Sequence, residues 1–227
     1  MVKNDYLSTS YKGIEIDVTY DTDCENPLEN WDCLYPTMTI YSGHKTDYSD
    51  GDIYNYVTNF LTDGQIIRHQ NRLFNLMSDY YDSSEVYDLS SSEKSDKIRD
   101  FIHDFIRDDI ENLVAFCDEF KIKHYYGESR GYSQGEWADV FICWTPEYEK
   151  ITGESYKDVT KESLKGTFDL FTNWAWGDVF NVSCDYVGEI CGGFYGEKEA
   201  EDQVEEVKKM IDESLNSDVK SYILRMK

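Results

Sequence analysis

From Ser95 to Phe120 the apolar residues recur with the period of an α-helix. At about 100° per residue, Ile98, Phe101, Ile102, Phe105, Ile106, Ile110, Leu113, Val114 and Phe116 share one broad face, and so wide a face requires a core to cover it. The reverse side carries Asp100, Asp104, Asp108, Glu111 and Asp118. Read as one helix, the segment predicts carboxylates along roughly 27 Å of surface, since each residue advances the axis by about 1.5 Å.

Shorter patterns surround it. Lys12–Tyr20 alternates, with Ile14, Ile16 and Val18 against Glu15, Asp17 and Thr19, and predicts a half-buried strand. Asp21–Trp31 is acidic, contains Pro27 and predicts a loop. Thr37–Tyr41 predicts a second strand, antiparallel to the first. Asp52–Leu61 predicts a helix capped by Asp50 or Asp52, with Ile53, Tyr56, Val57 and Phe60 on one side. Ser83–Ser95 has only Val86, Tyr87 and Leu89 as apolar anchors and predicts an exposed linker.

In the second half, Trp137–Trp144 predicts a central strand, and the aromatic spacing of Ser163–Trp176 a helix. Asp178–Val187 predicts another strand, Gly188–Gly196 a tight glycine-rich passage, and Glu197–Asn216 a helix that buries Ala200, Val204, Val207, Ile211 and Leu215. Strands and helices mix without a βαβ rhythm. The expectation is therefore an α+β fold, a mainly antiparallel sheet packed with several helices, one of them long and amphipathic. A chain of 227 residues can form it as a single acidic domain over 1–227, with the Ser/Asp-rich stretch 83–95 as the place for any internal boundary.

The charge is as informative as the periodicity. Forty-six acidic against 22 basic residues leave a net charge of −24. A field of that sign repels phosphate, which excludes a protein that coats nucleic acid or anionic lipid. The surplus is spread out: −9 over residues 1–63, +2 over 64–78, −9 over 79–120 and −8 over 121–227. With 15% aromatic residues interleaved, these carboxylates decorate a folded surface rather than a disordered tail. Met1–Gly13 has no seven-residue apolar run, and Val140–Trp144 is too short to cross a bilayer, so neither a signal peptide nor a membrane span is expected. Six cysteines without a CxxC pair read as reduced thiols in a cytoplasm.

Few residues group into a chemical site. Asp21, Asp23, Glu25, Glu29 and Asp32 occupy positions 1, 3, 5, 9 and 12 of a twelve-residue window, the spacing of an EF-hand calcium loop. Yet Asn26 stands where the turn needs glycine, Pro27 follows it, and a strand precedes Asp21 in place of a helix. A solvated acidic loop is the simpler reading, and no cofactor or metal is assigned. Asp47, Asp50 and Asp52 read as a turn and helix cap. His44, His69, His103 and His124 lack HxxxH or HExxH spacing and read as surface or structural residues. Gly131-Tyr132-Ser133-Gln134-Gly135 places its serine one position too early for a nucleophile elbow, and the strand follows it instead of preceding it. Glu189 and Glu197 flank Cys191-Gly192-Gly193 and oppose an anion there.

Three passages carry a resemblance. They are Cys24-Glu25-Asn26-Pro27 with Trp31-Asp32 and Gly51-Asp52; Gly131-Tyr132-Ser133-Gln134-Gly135-Glu136-Trp137-Ala138; and Trp174-Ala175-Trp176-Gly177-Asp178-Val179 with Cys191-Gly192-Gly193-Phe194-Tyr195-Gly196. Together they resemble a family of uncharacterised proteins encoded by bacteriophages and prophages. Residues 53–95 match nothing in that family. The resemblance implies a phage origin and life in the cytoplasm of an infected bacterium, and it assigns no catalytic residue.

Ordinary exposed helix faces mix signs, because like charges four residues apart cost a few tenths of a kcal/mol each. Asp100/Asp104 and Asp104/Asp108 are such pairs, with only Arg99 and Arg107 at the margin. The expectation is a non-enzymatic inhibitor that occupies the basic cleft of a host nucleic-acid-handling complex, of restriction or CRISPR type, by charge mimicry. Direct contact with nucleic acid or membrane is not expected. The rival is a calcium- or magnesium-binding protein, or a metal-dependent hydrolase, built on Asp21–Asp32.

Overall fold

The computed structural model describes residues 7–31, 34–41, 44–48, 50–78, 80–130 and 137–225. Its elements in chain order are strands β1 (Thr9–Tyr11) and β2 (Ile14–Tyr20), helix α1 (Pro27–Asn30), and strands β3 (Thr37–Tyr41) and β4 (His44–Tyr48). Helices α2 (Asp50–Thr58), α3 (Asp63–Leu76), α4 (Ser91–Asp108) and α5 (Ile110–Phe120) follow. Then come β5 (His124–Arg130), β6 (Trp137–Cys143), α6 (Pro146–Thr152), α7 (Lys161–Trp176), the hairpin β7 (Val179–Cys184) and β8 (Glu189–Tyr195), and α8 (Glu197–Arg225). The fold is α+β, with antiparallel pairing throughout the described strands.

Contacts divide the chain into two compact units, one formed by the residues up to Asn30 and from Asp169 onward, the other by Trp31–Phe168. The stretch 83–95 lies inside the second, and each unit has its own sheet and core.

In the first unit the strand order is β1-β2-β7-β8. The alternation of β2 sends Ile16 and Val18 inward, where they meet Phe180 and Val182 of β7. Helix α8 covers them with Ala200, Val204, Val207 and Ile211, all buried, and Leu215 packed at the edge. This is the stripe its periodicity predicts.

The second unit has the order β4-β3-β6-β5. Strand β6 is central, and Ala138 and Val140 through Cys143 are all buried, the mark of a strand covered on both faces. The core gathers Met38 and Phe141 from the sheet, Ile53 and Val57 from α2, and Ile66 and Leu73 from α3. Helix α4 adds Ile98, Phe101, Ile102, Phe105 and Ile106, and α5 adds Leu113 and Phe116.

Four expectations are corrected. Strand β3 has the predicted limits but pairs with β4 and β6, not with β2, which pairs with β1 and β7. The acidic stretch Asp21–Trp31 contains a turn of helix, α1, because Asn26 Oδ1 accepts the Leu28 amide at 3.1 Å and nucleates it. Within Gly188–Gly196 lies a strand, β8 (Glu189–Tyr195), which pairs along β7, and an irregularity between Phe180 and Val182 absorbs Gly193 at φ +77°. The supposed linker 83–95 is a 3₁₀ turn (Ser83–Val86) leading into α4, and buried Val86 ties it to the core. The motif Gly131–Glu136 lies outside the described residues, as do Asp32 and Cys33.

Candidate partner-binding surface

Helix α4 is fixed at its start by a reciprocal cap. Ser90 Oγ accepts the Glu93 amide at 3.4 Å, and Glu93 Oε2 accepts the Ser90 amide at 3.1 Å and its hydroxyl at 2.6 Å. Those bonds hold the Glu93 carboxyl below its ordinary pKa. With its apolar side locked into the core, the helix cannot roll, and its outer side is set.

That outer side carries Asp96, Asp100, Asp104 and Asp108, all exposed. Each is four residues from the next, so the row advances about 6 Å per step and extends over about 18 Å. Asp96 extends the predicted row by one turn. The repeat was visible in the sequence, but the residue fell beside a segment read as linker.

Three of the four cations of α4, Lys97, Arg99 and Arg107, have contacts of their own. Arg99, with only 21% of its side chain exposed, donates to the carbonyls of Thr58 at 3.0 Å and Leu61 at 3.3 Å and to Asp63 Oδ1 at 2.6 Å. It closes the C-terminal end of α2. Lys97 Nζ sits 4.7 Å from the centroid of Phe101 and 4.0 Å from Glu85. Arg107 lies over the Tyr54 ring at 5.0 Å and donates to His103 Nε2 at 3.1 Å. Because arginine only donates, His103 carries its proton on Nδ1, which faces Asp104 Oδ1 at 3.4 Å.

Tyrosines border the row. Tyr81 stacks on Phe101 with centroids 4.1 Å apart. Burial first, and the adjacent Asp104 charge second, raise its phenol above the ordinary pKa. Tyr80 packs edge-on against Phe105 and remains 46% exposed, and Tyr87 on the turn before α4 is 82% exposed. Apolar rings beside carboxylates suit an arginine-bearing partner, since a guanidinium can both stack and form a fork to a carboxylate.

The predicted site residues do not all share this surface. The single helix over 95–120 is two helices, broken at Asp109, whose backbone is extended (φ −141°, ψ 147°) and whose Oδ1 caps α5 by accepting the Glu111 amide at 3.0 Å. Asp100, Asp104 and Asp108 stay in one row. Glu111 and Asp118 are exposed but belong to α5, and Asp118 Oδ1 lies 3.9 Å from His124 Nε2. The continuous 27 Å stripe is thus replaced by a shorter row on α4.

In the acidic loop, Asp21 spends its carboxylate on the backbone: Oδ1 accepts the Asp23 amide and Oδ2 the Gly193 amide, both at 3.2 Å. Tyr195 donates to the Glu25 carbonyl at 2.7 Å and tethers the same loop. Among the described residues no three His, Cys, Asp or Glu side chains form a group able to hold a metal ion. His69 packs edge-on against Phe120, and His124 stacks on Phe141. Among the described residues no helix is long and apolar enough to cross a membrane. Comparison with protein-family models, with curated proteins and with solved structures finds no match.

Proposed function

We propose that this protein is an acidic binding protein that competes with nucleic acid for the basic cleft of a nucleic-acid-handling host complex. The phage resemblance makes restriction and CRISPR-type defence complexes its targets. One observation carries the reading: four aspartates stand in register on the outer side of a helix whose own arginines face other partners.

The physical sequence has two stages. At a distance the net charge of −24 attracts a cationic cleft and speeds encounter, a term that salt screens within about 8–10 Å. At contact, arginines of the partner pair with Asp96–Asp108 while Tyr81 and Tyr87 supply area at little entropic cost. A duplex presents a charge about every 1.7 Å of axis, denser than carboxylates at about 6 Å. The α4 row therefore supplies register, and the remaining surface supplies the field.

The test is competition. Purified restriction and CRISPR effector complexes are assayed for DNA binding with increasing amounts of the intact protein, across a salt series and with and without a chelator. Inhibition of at least one complex that weakens with salt and ignores the chelator supports the reading. No inhibition of any complex at low salt rejects it.

A further inference from the structure

One concavity runs against the overall field. In the second unit, a groove of about 500 Å³ lies between the end of α5, the start of β5 and the start of α7. Its described lining includes Lys121, Lys123, Lys161 and His124, with Asp118 as the sole carboxylate among those residues. The wall beneath them is apolar, formed by Val114, Ile122, Val159 and Leu164, with Tyr125 and Tyr126 alongside.

The three lysines differ in what they have left to offer. Lys123 Nζ donates to the carbonyls of Val159 at 2.7 Å, Tyr156 at 2.8 Å and Lys157 at 3.2 Å, so its three N–H bonds are used and its charge stays fixed. Lys121 and Lys161 are exposed, and among the described residues neither ammonium has a carboxylate partner. His124 Nδ1 sits 3.0 Å from the Ile122 carbonyl, which can only accept, so Nδ1 is the donor there, and Nε2, 3.9 Å from Asp118 Oδ1, is left to hydrogen-bond a hydroxyl.

We propose that this groove binds an organic phosphate of the nucleotide class, a role separate from that of the α4 row. Two mobile ammonium groups beside a fixed third suit a dianionic phosphate. The volume falls within the range of about 300–1,000 Å³ typical of small-molecule sites and far exceeds what a bare phosphate fills. The apolar wall and Tyr125 suit a flat base, and His124 Nε2 suits a sugar hydroxyl. With a net charge of −24, diffuse uptake of anions is opposed, so saturable binding reports a local site.

Isothermal titration of the full chain with ATP, AMP, adenosine and inorganic phosphate decides it. The comparison protein is Lys121→Ala/Lys161→Ala, whose exposed positions leave the core intact; circular dichroism checks its fold. Expected are one-to-one binding of ATP and AMP, with at least about tenfold loss in the double variant and weaker binding of adenosine and of phosphate alone. Absence of saturable nucleotide binding at millimolar concentration overturns the proposal, as does equal affinity in the double variant. Inorganic phosphate binding as tightly as AMP overturns the nucleotide class, because the apolar wall would then contribute nothing.

Discussion

Across the break at Asp109, the Asn112 side-chain amide donates to the carbonyl oxygen of Phe105 at 3.1 Å. Phe105 lies in the last turn of α4, where carbonyls lose their helical partners. The same Nδ2 also donates to the Tyr80 hydroxyl at 3.1 Å, so one side chain holds the end of α4, the start of α5 and a tyrosine beside the acidic row. Asn112→Ala is expected to destabilise the protein by about 1–2 kcal/mol, the usual worth of two lost hydrogen bonds. Asn112→Asp should cost more, because a carboxylate facing the Phe105 carbonyl can only accept. Urea midpoints of the two variants check the order.

At Gly192 the sequence is held by its neighbours. A Cβ there would collide with Asn181 Oδ1 and come within 3.1 Å of Asp21 Oδ2. Gly192→Ala is expected to cost about 1–3 kcal/mol, as overpacking does. Adding Asn181→Ala should recover part of the loss, which a double-mutant cycle in urea measures.

Acid should weaken the start of α4. Glu93 and Asp82 both have folded pKa values below the ordinary ones, Glu93 through the Ser90 hydroxyl and amide, Asp82 through the backbone and side chain of Ser84. A depressed folded pKa stabilises fully above the unfolded value, about 4.3 for Glu and 3.9 for Asp, and is lost as pH falls through the folded one. The protection of the first turn of α4 against hydrogen exchange, taken relative to the intrinsic rate at each pH, should therefore fall below about pH 4 in the wild type. In Glu93→Gln that dependence should shrink.

Alkali acts on the other unit. Burial first, and then the negative groups at Cys24, Asp21, Glu25 and Glu199, push Tyr195 up to about 12. A raised folded pKa stabilises fully below the unfolded value, about 10, and is lost as pH rises through the folded one. A tyrosinate absorbance titration should show one phenol ionising near pH 12 that is missing in Tyr195→Phe.

Much of this was legible from residue order, and the reasons for the rest are specific. Period-two and period-3.6 patterns located β2, α7 and α8, because burial on one face writes itself into the sequence, and a short apolar run located β6. Strand partners did not show: nothing local in Thr37–Tyr41 tells whether Ile142 or Asp17 lies opposite. The Asp109 break was hidden because apolar periodicity continues through it, from Ile106 to Ile110. The signal was Asp109 itself, an N-cap residue four positions before Leu113. The strand Glu189–Tyr195 was concealed by its glycines, of which Gly192 is required on steric grounds by Asn181 and Asp21 and Gly193 by its positive φ. Of the candidate surface, the Asp100–Asp108 row was readable, whereas Tyr81 joins it only through its packing on Phe101.

The central claim concerns where the charge sits, not how much there is. Two variants with the same change in net charge separate these: Asp104→Lys/Asp108→Lys on α4, and Glu201→Lys/Asp202→Lys on the exposed side of α8. Each is titrated against a nucleic-acid-handling complex that the wild type inhibits, with displacement of DNA as the readout. The account predicts that the α4 variant needs at least about tenfold more protein for half-inhibition, while the α8 variant stays close to the wild type. Equal loss in both variants, or none in the first, would contradict it.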